Sequence, residues 1–192
     1  MPERNSAALD FLLTRRSRPA KTLVPPGPSK EQLQEILTAA ARVPDHGKLE
    51  PWRFIVIPQG AMPRLAALAE EASARLGKPA EDIAKGRSQF DQGILAVAVI
   101  EVQKDSPKIP AIEMTYSAGA VCLSLLNAAL AAGWGANWLS GWASHDPEWR
   151  KTALGLADNE RVAGILHIAT AKSAPPERPR PDLEAITTWL DA

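Results

Sequence analysis

Apolar positions along the chain fall into two patterns: short continuous runs, and longer stretches with helical spacing. Leu95 to Glu101 (LAVAVIE) is apolar throughout. A strand covered on both faces needs this, so it is predicted to lie centrally in a sheet. Val162 to Thr170 reads the same way, and Phe54 to Ile57 is a shorter buried run. Gly135 to Gly141 begins with a strand-like segment. Helical spacing appears first in Ala7 to Thr14, with Phe11 and Leu12 predicted to face inward. Ser29 and Gln32 have capping-box spacing and open a helix with Leu33, Ile36, Leu37 and Ala40 on one stripe. Pro44 ends it near Arg42. Pro63 to Leu76 is a third helix, closed by Gly77.

Ile112 to Ala132 is the longest predicted helix. Its many alanines and Gly119 let another backbone approach closely, which suits a buried core helix and a subunit interface equally. Asp146-Pro147 supplies an N-cap and a first-turn proline for a helix to about Leu154. Asp182 to Leu190 is predicted as a terminal helix, and Ala174 to Pro181 as extended chain. Lys78 to Gly93 is polar and predicted to be a mobile, lid-like segment. Without a repeat or a composition break, residues 1–192 read as a single domain. Strands separated by helices imply a layered sheet with helices on both faces.

Charge narrows the function classes. Lys plus Arg is 22 and Asp plus Glu is 22, a balance that argues against a globally basic nucleic-acid binder and a strongly acidic chain. The one cysteine, Cys122, permits no internal disulfide and no multi-cysteine metal site, and fits a reducing compartment. It lies in an Ala/Leu helix and reads as inert packing. The N-terminus has no signal-type apolar stretch, and Ala118 to Ala132 falls short of the roughly 20 residues of a membrane span. A cytoplasmic protein without nucleic-acid or membrane partners is expected.

Three segments could carry chemistry. Arg15-Arg16-Ser17 follows a helix, and its guanidinium groups and hydroxyl suit a phosphate; a solvated basic loop is the alternative. Arg42 to Phe54 (RVPDHGKLEPWRF) holds Arg42, Asp45, His46 and Lys48 between a helix and a strand, where ligands often bind, although a lone histidine is usually structural. Pro175 to Pro181 holds Arg178 and Arg180 on a stiff extended backbone, suited to an anion or to a peptide-docking role. Dinucleotide, P-loop and nucleophile-elbow motifs are lacking. His46, His145 and His167 show no metal-ligand spacing, and His167 reads as a satisfied core residue. Four of six tryptophans fall at 134, 138, 142 and 149; Trp134 and Trp149 read as core or interface, and Trp142 as a wall of a substrate pocket.

In this order the segments resemble the flavin-dependent nitroreductase family, and its compact subgroup with a Pro-Asp-His motif. The matching pieces are Arg15-Arg16-Ser17, Arg42-Val-Pro-Asp-His46 with Glu50-Pro-Trp-Arg-Phe-Ile-Val56, Gly133 to Gly141 (GWGANWLSG), and Arg178-Pro-Arg-Pro181. The resemblance implies an α+β fold with a mixed central sheet flanked by helices, in an intertwined homodimer. It implies non-covalent FMN at the dimer interface, reduced by NADH or NADPH. Hydride would then pass through flavin N5 to a nitroaromatic or quinone-like acceptor, with no catalytic side chain and no metal. The implied cofactor contacts are Arg15, Arg16 and Ser17; Arg42 and His46 from the partner subunit, with Lys48 nearby; Trp138, Leu139 and Ser140 beside the ring; and Arg178 and Arg180 on the phosphate. The chain departs from many members at Pro19, where a Lys or Arg is usual, and at Lys48 and Glu50, where Asn and Gln are usual. A flavin-binding or flavin-processing relative without nitroreductase turnover is the alternative.

Overall fold

A computed structural model describes residues 3–190. Its centre is β5 (Glu160–Ala171), the longest strand. On β5 pair β3 (Leu95–Val102), β4 (Gly135–Leu139) and, at Thr170 and Ala171, the two-residue β1 (Leu23–Val24). β2 (Trp52–Pro58) continues the sheet beyond β3. These pairings are all antiparallel, so within the described residues of one chain the sheet is antiparallel rather than mixed. The α+β class is as the resemblance implied.

The apolar run in β3 has the predicted cause. Ala96 to Ile100 have no exposed surface, because both faces of the strand are covered. Ala96, Ala98 and Ile100 face a layer made by α3 (Met62–Arg75), α4 (Ala80–Asp91) and α6 (Pro147–Leu154). Val97 and Val99 face the opposite layer, α2 (Lys30–Ala40) and α5 (Ala111–Ala131). The caps form as their residue types predict. Ser29 and Gln32 make a reciprocal capping box, and the Asp146 carboxylate accepts the Trp149 N–H at 2.8 Å. α5 has the length and hydropathy of a membrane span, but Ala118, Val121, Cys122 and Leu125 are fully buried against the sheet layer. Burial pushes the Cys122 thiol up to about 12, which leaves it an unreactive packing group.

Three expectations are corrected. Lys78 to Gly93 is not a lid-like segment. It contains α4, which packs on α3 and buries Phe90 completely in ring contact with Trp149, centroids 5.5 Å apart. The helix is amphipathic: Ile83, Gly86 and Phe90 share its inner face, and a polar outer face masked that stripe in composition. The second correction concerns α1 (Ser6–Thr14), which has no buried residue; Phe11 is half-buried and Leu9, Leu12 and Leu13 are exposed. The third is the terminal helix, which shortens to the single turn α7 (Leu183–Ile186), with Leu183, Ile186, Trp189 and Leu190 exposed. Helices this short and unpacked gain little from propensity alone.

His167 lies on β5 between β3 and β4 and is buried as expected, but its Nε2 has no protein partner. Burial drives its imidazole down to about 4. The unfolded imidazole takes its proton near 6.5, so between the two values the unfolded chain binds more protons and stability falls as pH falls. The difference corresponds to about 3 kcal/mol lost from pH 6.5 to 4. Urea unfolding from pH 7 to 4.5 is expected to show a shallower decline for His167→Leu than for the parent chain. Equal declines would mean that His167 takes no part.

Candidate functional site

The cationic residues converge where α1 ends. At Arg15 the backbone leaves the helix for an extended conformation, and its N–H caps the Phe11 carbonyl. Three residues on, the Arg18 N–H donates to the Ala136 carbonyl at 2.8 Å, which fastens this segment to β4. Arg15, Arg16 and Arg18 then line a cleft of about 340 Å³ with Phe11, Leu130 and Trp134. The tail after β5 returns to the same place. Arg16 Nη1 donates to the Pro176 carbonyl at 2.6 Å and lies 3.3 Å from the Glu177 carboxylate, which is also 2.8 Å from Arg180 Nη2. The fold thus gathers Arg15, Arg16, Ser17 and Arg180 from opposite ends of the chain.

The electrostatics of this cluster are those of a site short of negative charge. Burial first, then the neighbouring charges of Arg180 and Arg16, lower the proton affinity of the Arg15 guanidinium. Arg15 Nη2 donates to the Ser17 hydroxyl at 3.1 Å, while its Nε is buried without a partner. A buried unpaired donor is costly, and an anion with several acceptor oxygens relieves both the repulsion and the orphaned N–H. A phosphate monoester therefore fits the residues present. Arg178 is exposed, and its backbone N–H donates to its neighbour Glu177 at 3.0 Å.

A second cluster forms around the Pro44-Asp45-His46 loop. Both Asp45 carboxylate oxygens accept backbone N–H groups, from Leu49 at 3.1 Å and Glu50 at 2.8 Å. Asp45 is thus the support of the loop. The chain around it turns left-handed at Gly47, Lys48 and Glu50, with φ of 71°, 54° and 47°. Glycine suits that φ at position 47, and a Cβ there would have to push aside the end of the Ile109 side chain. Lys48 and Glu50 have side chains, so the loop stores backbone strain, which clusters at functional sites. His46 Nδ1 lies 2.7 Å from the Glu113 carboxylate in the first turn of α5. Arg42 and Lys48 are exposed.

The two clusters sit at opposite ends of α5. His46 meets Glu113, whereas the arginine cleft borders Leu130 and Gly133. At 1.5 Å per residue the separation along the helix is about 25 Å. β4 carries Trp138 and Leu139, and Ser140 follows its last residue. Trp138 is 38% exposed and lies across Gly164 on β5; a Cβ at Gly164 would overlap the indole. Leu139 is half-buried and Ser140 exposed.

Trp142, expected as a pocket wall, packs against α4. Its Nε1 donates to the Asp82 carbonyl at 3.0 Å, its ring covers Gly86, and Lys78 Nζ stands 5.4 Å from the ring centroid. It is the clasp that holds α4. Glu113, Glu177 and the supporting role of Asp45 escaped the sequence reading. Glu113 and Glu177 meet His46 and Arg16 across tens of residues, which leaves no spacing to read, and the contacts of Asp45 go to backbone N–H groups, which carry no residue type. Among the described residues no group of three or more His, Cys, Asp or Glu side chains is placed to hold a metal ion.

The layered antiparallel fold places an arginine-lined cleft beside α1 and β4. The chain belongs to the nitroreductase family, whose family model matches residues 12–170. It is 34% identical over 163 residues to the Escherichia coli K12 protein named "Putative NAD(P)H nitroreductase YdjA", covering 85% of this chain and 87% of that one. In fold it is similar to a nitroreductase-like family protein from Bacillus cereus, with a TM-score of 0.79, 22% identity and full coverage of both chains. It is also similar in fold to a Desulfovibrio desulfuricans protein described as a nitroreductase in complex with FMN, with a TM-score of 0.76, 19% identity, and 99% and 100% of the two chains covered.

Proposed function

We propose that the protein is an FMN-dependent oxidoreductase that takes electrons from NADH or NADPH and delivers them to nitroaromatic or quinone-like acceptors. The observation that carries the cofactor is the gathering of Arg15, Arg16, Ser17 and Arg180 around a buried, unpaired guanidinium N–H. FMN supplies the redox chemistry when bound. In this reading the four residues hold its phosphate and Arg178 adds charge nearby. Trp138, Leu139 and Ser140 offer the partly apolar edge that shields the ring from water. A cation close to the ring tunes its electronics, a role for Lys48. No side chain is assigned as acid or base; water supplies the proton.

The reading includes a homodimer. A small ligand touched by both clusters takes the arginines from one chain and Arg42, His46 and Lys48 from the other, because about 25 Å of α5 separates them in one chain. Exposed apolar side chains support the same reading. Leu9, Leu12 and Leu13 on α1, Ile112, Tyr116 and Leu123 on α5, and Trp189 and Leu190 in the tail have no cover in a single chain. A cytoplasmic location goes with a reductase that uses free NAD(P)H.

An absorbance spectrum of the purified protein with added FMN, followed by NAD(P)H oxidation with menadione or nitrofurazone, tests this. Bound flavin and acceptor-dependent turnover are expected. A protein that gains no flavin absorbance would overturn the reading. Bound flavin without turnover would reduce it to flavin binding.

A further inference from the structure

Arg16 and Arg180 already share an anion supplied by the chain itself. One oxygen of Glu177, Oε1, lies 3.3 Å from Arg16 Nη1 and 2.8 Å from Arg180 Nη2, and it accepts the Arg178 backbone N–H at 3.0 Å. The Arg178 N–H first, and against a small burial cost the charges of Arg180 and Arg16, hold this carboxyl below the ordinary range. Arg15, the third guanidinium of the cluster, keeps its buried Nε unpartnered. The carboxylate thus neutralises the outer part of the cluster and leaves the inner part unsatisfied.

A phosphate seated in this cleft would use the same Arg16 and Arg180 N–H groups, since forked guanidinium donors are what bind it. Two anions on the same donors repel, so one must leave. Glu177 is free to leave: its side chain is 68% exposed, and it sits in a tail segment without helix or strand. Swinging it into water breaks no core packing.

We propose that Glu177 is an internal counter-anion of the phosphate site, which a flavin phosphate must displace in order to bind. The proposal rests on the FMN reading above. In the unliganded chain Glu177 prevents mutual repulsion of Arg16 and Arg180 and, with the Pro176 carbonyl, ties the tail to Arg16. Only the fraction of molecules with Glu177 released is competent for phosphate, and apparent affinity falls by that fraction. The competition also discriminates between ligands. FMN carries a phosphate that takes over the arginines, whereas riboflavin has no group to do so and gains nothing from the release of Glu177.

The test is Glu177→Gln, which keeps the shape and removes the charge at an exposed position. Flavin-free parent and variant are titrated with FMN and with riboflavin, following quenching of flavin fluorescence. The variant is expected to bind FMN roughly two- to fivefold more tightly, the range of an exposed ion pair, and riboflavin with unchanged affinity. Weaker FMN binding by the variant would overturn the proposal, because Glu177 would then be organising the arginines for phosphate. An equal gain for both flavins would overturn it as well, since the effect would lie outside the phosphate site. If the parent binds neither flavin, the FMN reading itself fails, and the proposal falls with it.

Discussion

Replacing Arg15 and Arg180 together with alanine is expected to weaken FMN binding by about thirty- to several-hundred-fold. Hydrogen bonds to charged groups are worth roughly 1.5–3 kcal/mol, and each factor of ten in affinity takes about 1.4 kcal/mol. Arg15 should approach the upper part of that range, because it is partly desolvated and its Nε is unpaired. Arg180 is 55% exposed, where pairs are worth roughly 0.2–1 kcal/mol, so its share is smaller. The two share one ligand, so their effects need not add and single variants are required beside the double one. Riboflavin affinity should change much less. The thermal midpoint should hold, since removing Arg15 also removes repulsion from Arg16 and Arg180. Unchanged FMN affinity would instead support the reading of Pro175 to Pro181 as a docking peptide.

The second large effect is on stability. Phe90→Ala is expected to destabilise the fold by about 3–5 kcal/mol, the range for deleting a buried aromatic side chain. Phe90 has no exposed surface and packs against Trp149 within the layer of α3, α4 and α6. For a chain of this size, each kcal/mol lowers the melting temperature by about 2–4 °C, so a drop of roughly 6–20 °C should appear in thermal unfolding. A lid would behave in the opposite way, with little change in melting and a large change in ligand affinity. A shift below about 2 °C would mean that α4 is not a fixed part of the core.

Legibility in the sequence followed the range of the interactions. Capping boxes, proline positions and apolar runs act within a few residues, so Ser29-Gln32, Asp146-Pro147 and the buried β3 could be read directly. α4 is hard to read because its inner stripe is only Ile83, Gly86 and Phe90, and part of what covers it, Trp142 and Trp149, lies more than fifty residues away. α1 was misread for a related reason. Its leucines have the right spacing, but a single chain offers no surface to cover them.

The sequence by itself determined the residue types of the site, because guanidinium groups, a hydroxyl and a Pro-bounded histidine loop are chemistry that needs no coordinates to name. It also determined the alternation of strands and helices, since backbone preference and hydrophobic period are local. Only the tertiary structure decided which of those residues meet. It brought Arg180 to Arg15 and Arg16 across more than 160 positions, placed Glu177 among them, and set His46 at the far end of α5 on Glu113. The reason is that a cluster of like charges is unfavourable by itself. It exists because Arg18 is fastened to β4 and the tail after β5 is tied to Arg16 through Pro176 and Glu177, contacts that only the fold of the whole chain brings about.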